Sequence, residues 1–385
     1  MEVIRVTFKN FPTYMTEDEF IQFWKEYFEE HQMKEKEDVN IYVHYPWCRS
    51  VCKFCIFGAL KLEENRHLVE PYERATLRMM ERMAPIIETQ KVSELFFGGG
   101  TPSLWTMESL KRMTEILPNY DKIGIRRTEI HPSDMTDERM EFMINTMKFH
   151  HISIGVQSFD KASCKGQNRI HISPEQLAHV VKTFQKAGLY VNCDLVALFN
   201  GPDEKNWDIF KEDLRIMETV VHPDAMTVSP NYREDYYNNS IKFRKIIKEF
   251  NDTQTGGYHL NYGDQAFSLD KMDIIRHMDR PYIFLTDEYA RFVLDHPVLS
   301  ETKTKEEMDN RNMIAFGGID GEGAFSRTAE YHYINGIYIP QDDEFHYRCK
   351  KKSMFERLNI KNDNDFYNNE IHIGQGFVLP PPTRE

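Results

Sequence analysis

Three things are scarce in this chain of 385 residues. No apolar run approaches the ~18 residues that a membrane-spanning helix needs, so no such span and no membrane partner are expected. Positive charge is in deficit: 48 Lys and Arg stand against 61 Asp and Glu, a formal net charge of −13. That balance favours solubility and argues against a nucleic-acid-binding surface. The opening stretch MEVIRVTFKNFPTYM lacks the apolar core and cleavage site of a secretory signal, so a cytoplasmic location is expected. Cysteine is the third scarcity, with 6 in the whole chain. In a reducing compartment, clustered cysteines point to metal or redox chemistry rather than to disulfides.

The cysteines are clustered. Cys48, Cys52 and Cys55 fall within HYPWCRSVCKFC at residues 44–55. Structural zinc takes four protein ligands, and these three with His44 would make a Cys3His set. A [4Fe–4S] cluster usually takes four cysteines. With three, one iron is left open to bind a substrate or cofactor. The C-x3-C-x2-C spacing directly after a strand, with Phe54 before the last cysteine, favours the iron–sulfur reading. Cys164, Cys193 and Cys349 are scattered and read as ordinary thiols.

The rest of the chain supplies a frame for that loop. TEDEFIQFWKEYFEEHQMKEK reads as a polar helix, within an N-terminal helical segment at 1–36. DVNIYVHYP reads as a strand, and 69–89 as a helix. VSELFFGG, GIRRTEIHP, HHISIGVQSF, YVNCDLVALF and AMTVSPNY read as strands, with helical patterns between them. Each strand is a short, nearly continuous apolar run, as expected for parallel strands buried on both faces. The β-α alternation recurs about six times. The fold class expected is α/β: a partial (β/α)6 TIM-like barrel over 37–235, with an α+β C-terminal extension over 236–385 that covers the substrate. Helices are expected at 238–251 and 304–313. Reactive residues of such barrels sit at the carboxyl ends of strands. The unusual segments lie there: the cysteine loop, GGGTP, TEIHPSD, GVQSF and NCDL.

These segments carry a resemblance. YVHYPWCRSVCKFC at 42–55 resembles the cluster motif of radical S-adenosylmethionine (SAM) enzymes, in the branch typified by oxygen-independent coproporphyrinogen III oxidase. FFGGGTPSLW at 96–105, TEIHP at 128–132, HISIGVQSFD at 151–160, Arg169 and VNCDLVALFNGPDE at 191–204 follow in the same order. The resemblance implies a [4Fe–4S] cluster held by Cys48, Cys52 and Cys55, with SAM on the open iron. Gly99, Gly100 and Thr101 would meet the SAM amino group, since glycines let backbone carbonyls approach an ammonium. Glu129, Gln157, Arg169 and Asp194 would hold the remaining polar groups of SAM, the Arg fork suiting a carboxylate. Tyr42 and Phe54 join the cofactor-binding set. Tyr42 and His44 share a strand face and are the candidate catalytic pair. Taken alone, GGGTP is also a tight strand-to-helix turn, Glu129 a surface carboxylate, Arg169 a solvated charge, and Tyr42 and His44 core residues.

The match has gaps. The branch carries a histidine-asparagine motif and then tyrosine-tryptophan, where this chain reads DRPYIFLTDEYARFVLDHPVLSE. Its glycine-leucine-proline turn is replaced by ALFNGPDE. These departures favour a specialised relative: methyl or methylene transfer to a small molecule, with a second SAM at Gly317–Gly323 as one arrangement. Tyr232, Tyr236, Tyr237, Tyr258 and Tyr262 would line a pocket for a planar substrate or merely pack. Hydrogen abstraction on a tetrapyrrole, a haem-handling relative and a zinc-stabilised binding protein are the alternatives. An electron donor such as flavodoxin or ferredoxin is the expected partner beside the small-molecule substrate.

Overall fold

The computed structural model describes residues 39–55, 59–197, 199, 203–230, 236–261, 282–295, 312–316, 331–334 and 337–340, together with Lys25. The expectations for the N-terminal helical segment, for Gly317–Gly323 and for Tyr232 and Tyr262 lie outside these residues, Lys25 apart. The chain divides into two compact units.

The first unit takes in 1–49, 55–124 and 304–385. It holds β1 (Val39–Tyr45), β2 (Trp47–Cys48), β3 (Leu60–Lys61), α1 (Arg66–Ile87), β4 (Val92–Gly99) and α2 (Met107–Ile116). All seven residues of β1 are buried, as its apolar and aromatic run dictates. It pairs in parallel with β4. Thr106 caps α2 by accepting from Ser109 N at 3.2 Å. Trp47, Tyr72 and Trp105 are fully buried around Tyr45 and fix the chain as it leaves β1.

The second unit takes in 50–54 and 125–303. It runs β5 (Ile125–Ile130), α3 (Asp137–Asn145), β6 (His151–Gln157), α4 (Lys161–Gly166), α5 (Pro174–Lys186), β7 (Tyr190–Ala197), α6 (Glu204–Ile216), β8 (Ala225–Pro230), α7 (Tyr236–Thr253), β9 (His259–Asn261), β10 (Tyr282–Leu285) and α8 (Asp287–Asp295). Strands β5 to β8 pair in parallel, and β10 pairs antiparallel to both β8 and β9. Side chains cap four of the helices: Thr136 on α3, Asp160 on α4, Ser173 in a capping box with Gln176 on α5, and Asp203 on α6. The amino-terminal ends of these strands are closed by α8, whose Tyr289 and Phe292 pack with Ile125, Ala225 and Leu285.

The first unit ends with β11 (Asn312–Phe316), β12 (Tyr331–Ile334) and β13 (Ile337–Pro340). Residues 304–311 of the helix expected at 304–313 are outside the described part. Its last two residues begin β11, which pairs in parallel with β1. The apolar run NMIAF fills a place beside a fully buried strand, and that tertiary demand sets its conformation. The helix expected at 238–251 is present as α7.

Candidate functional site

The carboxyl end of β1 and the glycine turn after β4 form one centre. Tyr42 Oη lies 3.0 Å from His44 Nδ1, and the two side chains are only 5% and 4% exposed. Positions two apart on a strand share a face, so the pair meets as its spacing requires. Burial pushes the His44 pKa down to about 3, which keeps the imidazole neutral. Tyr72, on α1, donates to His44 O at 2.8 Å and pins that turn of backbone.

The glycine turn is packed against this corner. Gly99 has φ +115°, and a Cβ there would lie 2.7 Å from the His44 ring. A Cβ on Gly100 would lie 2.8 Å from Trp47 O, and Gly100 N donates to Tyr45 O at 2.6 Å. Neither position has room for a side chain. Thr101 Oγ1 then donates to Cys48 Sγ at 3.1 Å. The GGGT turn is thus fastened to the first cysteine of the motif. Buried Glu73 steadies the far side, accepting from Thr106 N at 3.1 Å and from Ser109 Oγ at 2.5 Å.

In the second unit the centre forms at the carboxyl end of β6. Arg169 Nη1 donates to Cys52 Sγ at 3.5 Å, Arg169 Nε to Val156 O at 3.1 Å, and Arg169 Nη2 to Gly155 O. Gln157 takes φ +74°, a region that non-glycine residues rarely adopt, at a break in the β6–β7 register. A Cβ on Gly155 would lie 3.1 Å from both Arg169 Nη2 and Gln157 Nε2. The loop after α4 is stitched to the cysteine segment: Lys53 N donates to Gln167 O at 3.0 Å and Lys53 Nζ to Gly166 O at 2.7 Å. Phe54 meets Phe199 edge-on at 5.0 Å.

A polar shelf continues along β6, β7 and β8. Asn192 Nδ2 donates to Asp194 Oδ1 at 2.7 Å and lies 3.0 Å from Ser153 Oγ, which reaches Asp194 Oδ2 at 3.4 Å. Thr227 Oγ1 donates to Asn192 Oδ1 at 3.0 Å. The half-buried positions of β6 alternate along Ser153, Gly155 and Gln157, and Asp194 is register partner of Gly155. This is an open polar face, where the alternate residues Ile152, Ile154 and Val156 are buried. Glu129, exposed on β5, is register partner of Ser153.

Sequence reasoning missed Glu73, Tyr72 and Asp213. Asp213, on α6 and 2% exposed, accepts from Phe159 N at 2.8 Å. Burial raises its pKa to about 7, against the Phe159 and Ser158 hydrogen bonds that lower it. It anchors the segment that follows Gln157. Its only sequence signal is an acid placed among the apolar positions of an amphipathic helix.

The donor set fits an iron–sulfur group with an amino-acid cofactor beside it. Two of the three thiols, Cys48 and Cys52, already receive hydrogen bonds from an O–H and a guanidinium, partners suited to an anionic sulfur. All three thiols are half-buried and unbridged. Among the described residues no three His, Cys, Asp or Glu side chains are gathered closely enough to hold a metal ion.

Comparison with known proteins agrees with this chemistry. Residues 42–214 match the model of the Radical SAM superfamily. The oxygen-independent coproporphyrinogen III oxidase of Synechocystis sp. is 28% identical over 200 residues, covering 50% of this chain and 41% of that protein. The heme chaperone HemW of Haemophilus influenzae is 27% identical over 206 residues, covering 50% of this chain and 52% of that protein. The solved structure of coproporphyrinogen III oxidase (HemN) from Escherichia coli aligns with a TM-score of 0.55 at 19% identity, covering 78% of this chain and 67% of that one. The chain spans about half the length, or less, of these curated relatives.

Residues 42–214 are thus similar to the radical SAM superfamily. The relatives to which the chain is similar are HemN-like proteins, and the α/β partial barrel is shared with the solved HemN structure. Members of the radical SAM superfamily use a [4Fe–4S] cluster and SAM. The expectation of methyl transfer finds no support among these relatives, which are coproporphyrinogen oxidases and haem chaperones.

Proposed function

We propose that this chain is a radical SAM enzyme that abstracts hydrogen from a tetrapyrrole-class substrate. The observation that carries the reading is the pair of contacts to cysteine sulfur: Thr101 on Cys48 and Arg169 on Cys52. Each joins a cluster ligand to a residue that the family pattern gives to SAM. A cluster held by Cys48, Cys52 and Cys55 would supply the electron for reductive cleavage of SAM.

The chain's own groups have distinct tasks in this reading. Cys48, Cys52 and Cys55 hold the cluster. Gly99 and Gly100 present bare backbone to the SAM ammonium, and Arg169 supplies a cation for its carboxylate. Asp194, oriented by Asn192 and Ser153, accepts ribose hydroxyls, and Glu129 and Gln157 add further polar contacts. Neutral His44 and Tyr42 back the glycine turn and set its distance from the cysteine segment. Tetrapyrrole chemistry is favoured over methyl transfer because the relatives carry it in their names.

The test is anaerobic. Reconstituted protein receives dithionite, SAM and coproporphyrinogen III, and products are read by mass spectrometry. 5′-Deoxyadenosine with a decarboxylated porphyrinogen, and no S-adenosylhomocysteine, is expected. S-adenosylhomocysteine in step with deoxyadenosine would restore methyl transfer. Tight haem binding with no SAM cleavage would make the protein a haem carrier.

A further inference from the structure

From Val39 to Leu62 and from Lys161 to Pro174 the chain has no Asp or Glu, although acids outnumber bases by 61 to 48 overall. Within the second unit the two stretches are joined. Lys53 donates through both N and Nζ to the loop after α4, and Ser50 Oγ donates to Asn168 O at 2.5 Å. Lys53, Lys161 and Lys165 are all exposed, and Lys161 and Lys165 lie one helical turn apart on α4. Among the described residues neither Lys161 nor Lys165 forms an ion pair. Lys53, Lys161 and Lys165 are like charges on a chain of net charge −13, with half-buried Asp160 as the cap of α4.

A second, independent observation falls on the loop after α4. Ile170 is 36% exposed, the one large hydrophobic side chain so exposed among the described residues. It directly follows Arg169, whose guanidinium reaches Cys52 Sγ. An apolar centre with a rim of lysines is the pattern of a small, transient, electrostatically steered interface. Its nearness to a cysteine of the cluster motif specifies the traffic.

We propose that the face formed by Lys53, Lys161, Lys165 and Ile170 docks a small acidic electron-carrier protein. This rests on the radical SAM reading above. The carrier is oxidised by one electron, and the acceptor is the group that Cys52 helps to hold. Lysines steer the encounter and Ile170 seats it, so binding is weak and strongly salt-dependent.

The experiment uses the full-length reconstituted protein, with flavodoxin as the probe. Flavodoxin binding is measured by biolayer interferometry at low and high salt. 5′-Deoxyadenosine formation is measured with reduced flavodoxin and, separately, with dithionite. The double variant K161E/K165E is expected to weaken binding at least about tenfold and to slow the flavodoxin-driven rate in proportion. Its dithionite-driven rate should stay within about twofold of the parent. I170S should weaken binding with little change in salt dependence. Unchanged flavodoxin binding in K161E/K165E would overturn the proposal, as would equal losses with both reductants. Absence of SAM cleavage with dithionite in the parent would sink the enzymatic reading instead, and the binding arm would still decide the docking face.

Discussion

Arg169 and Cys52 stand 117 positions apart in sequence, and Nη1 of one lies 3.5 Å from Sγ of the other. The same guanidinium holds the carbonyls of Gly155 and Val156. One side chain therefore ties the end of β6 to the cysteine loop. Arg169→Ala should weaken SAM binding roughly 10–100-fold, the value of a hydrogen bond to a charged group at about 1.5–3 kcal/mol. Arg169→Lys keeps the charge but loses the planar fork, and should recover only part of this. Equilibrium dialysis of SAM on the reconstituted protein reads both.

The glycine turn makes a steric prediction. Gly100→Ala would drive a methyl to within 2.8 Å of the Trp47 carbonyl oxygen, which is backbone and cannot rotate away. The cost should be about 1–3 kcal/mol of stability, with SAM binding lost alongside. Gly188→Ala is the control: it also has positive φ, at 84°, but a Cβ there meets nothing within 4 Å. Only the conformational penalty remains, about 1 kcal/mol. Urea denaturation of the two variants separates crowding from backbone strain.

Much of the fold was legible because buried parallel strands write themselves as apolar runs. VNIYVHY is buried at every position, and SPEQ carries its own capping box and Pro174 at the helix start. The cysteine spacing and GGGTP were legible because each answers a local demand. What was not legible is long-range. Nothing in NMIAF says that it lies beside β1 rather than in a helix. Nothing around Asp213 says that its partner is Phe159 N, 54 positions away. DRPYIFLTDEYARFVLD departs from the branch's motif, and its described residues are spent on structure: Tyr282–Leu285 extends the sheet and Tyr289 Oη bonds His151 Nε2 at 2.9 Å.

Asp213 and His151 give opposed pH dependences. Burial raises the Asp213 pKa from 3.8 to about 7. Between those values the folded protein keeps a proton that the unfolded chain releases, so this contribution is lost as pH rises through about 7. Asp213→Asn still offers Phe159 N an acceptor and should flatten that loss. Asp213→Leu strands the N–H and should cost about 1–3 kcal/mol at any pH. Thermal melts from pH 4 to pH 8 distinguish the two.

His151 works the other way. Burial, with Arg127 adding to it, lowers its pKa from 6.5 to about 3. The unfolded chain takes up a proton there that the folded protein does not, so stability is full above 6.5 and falls as pH drops towards 3. His151→Gln retains a partner for the Tyr289 hydroxyl and removes the titration. Its stability should decline less on acidification than that of the parent. An equal decline would mean that His151 is protonated in the folded protein.

The loop of Cys48, Cys52 and Cys55 is proposed to carry a cluster that cleaves SAM. The most direct measurement compares the parent with Cys52→Ala after anaerobic reconstitution, by iron and sulfide content, Mössbauer spectrum and dithionite-driven 5′-deoxyadenosine. The parent should hold four irons and four sulfides per chain as a [4Fe–4S] signal, and make deoxyadenosine. Cys52→Ala should lose both. A Cys52→Ala protein that keeps its cluster and still makes deoxyadenosine, or a parent that binds zinc in place of iron, would contradict the account.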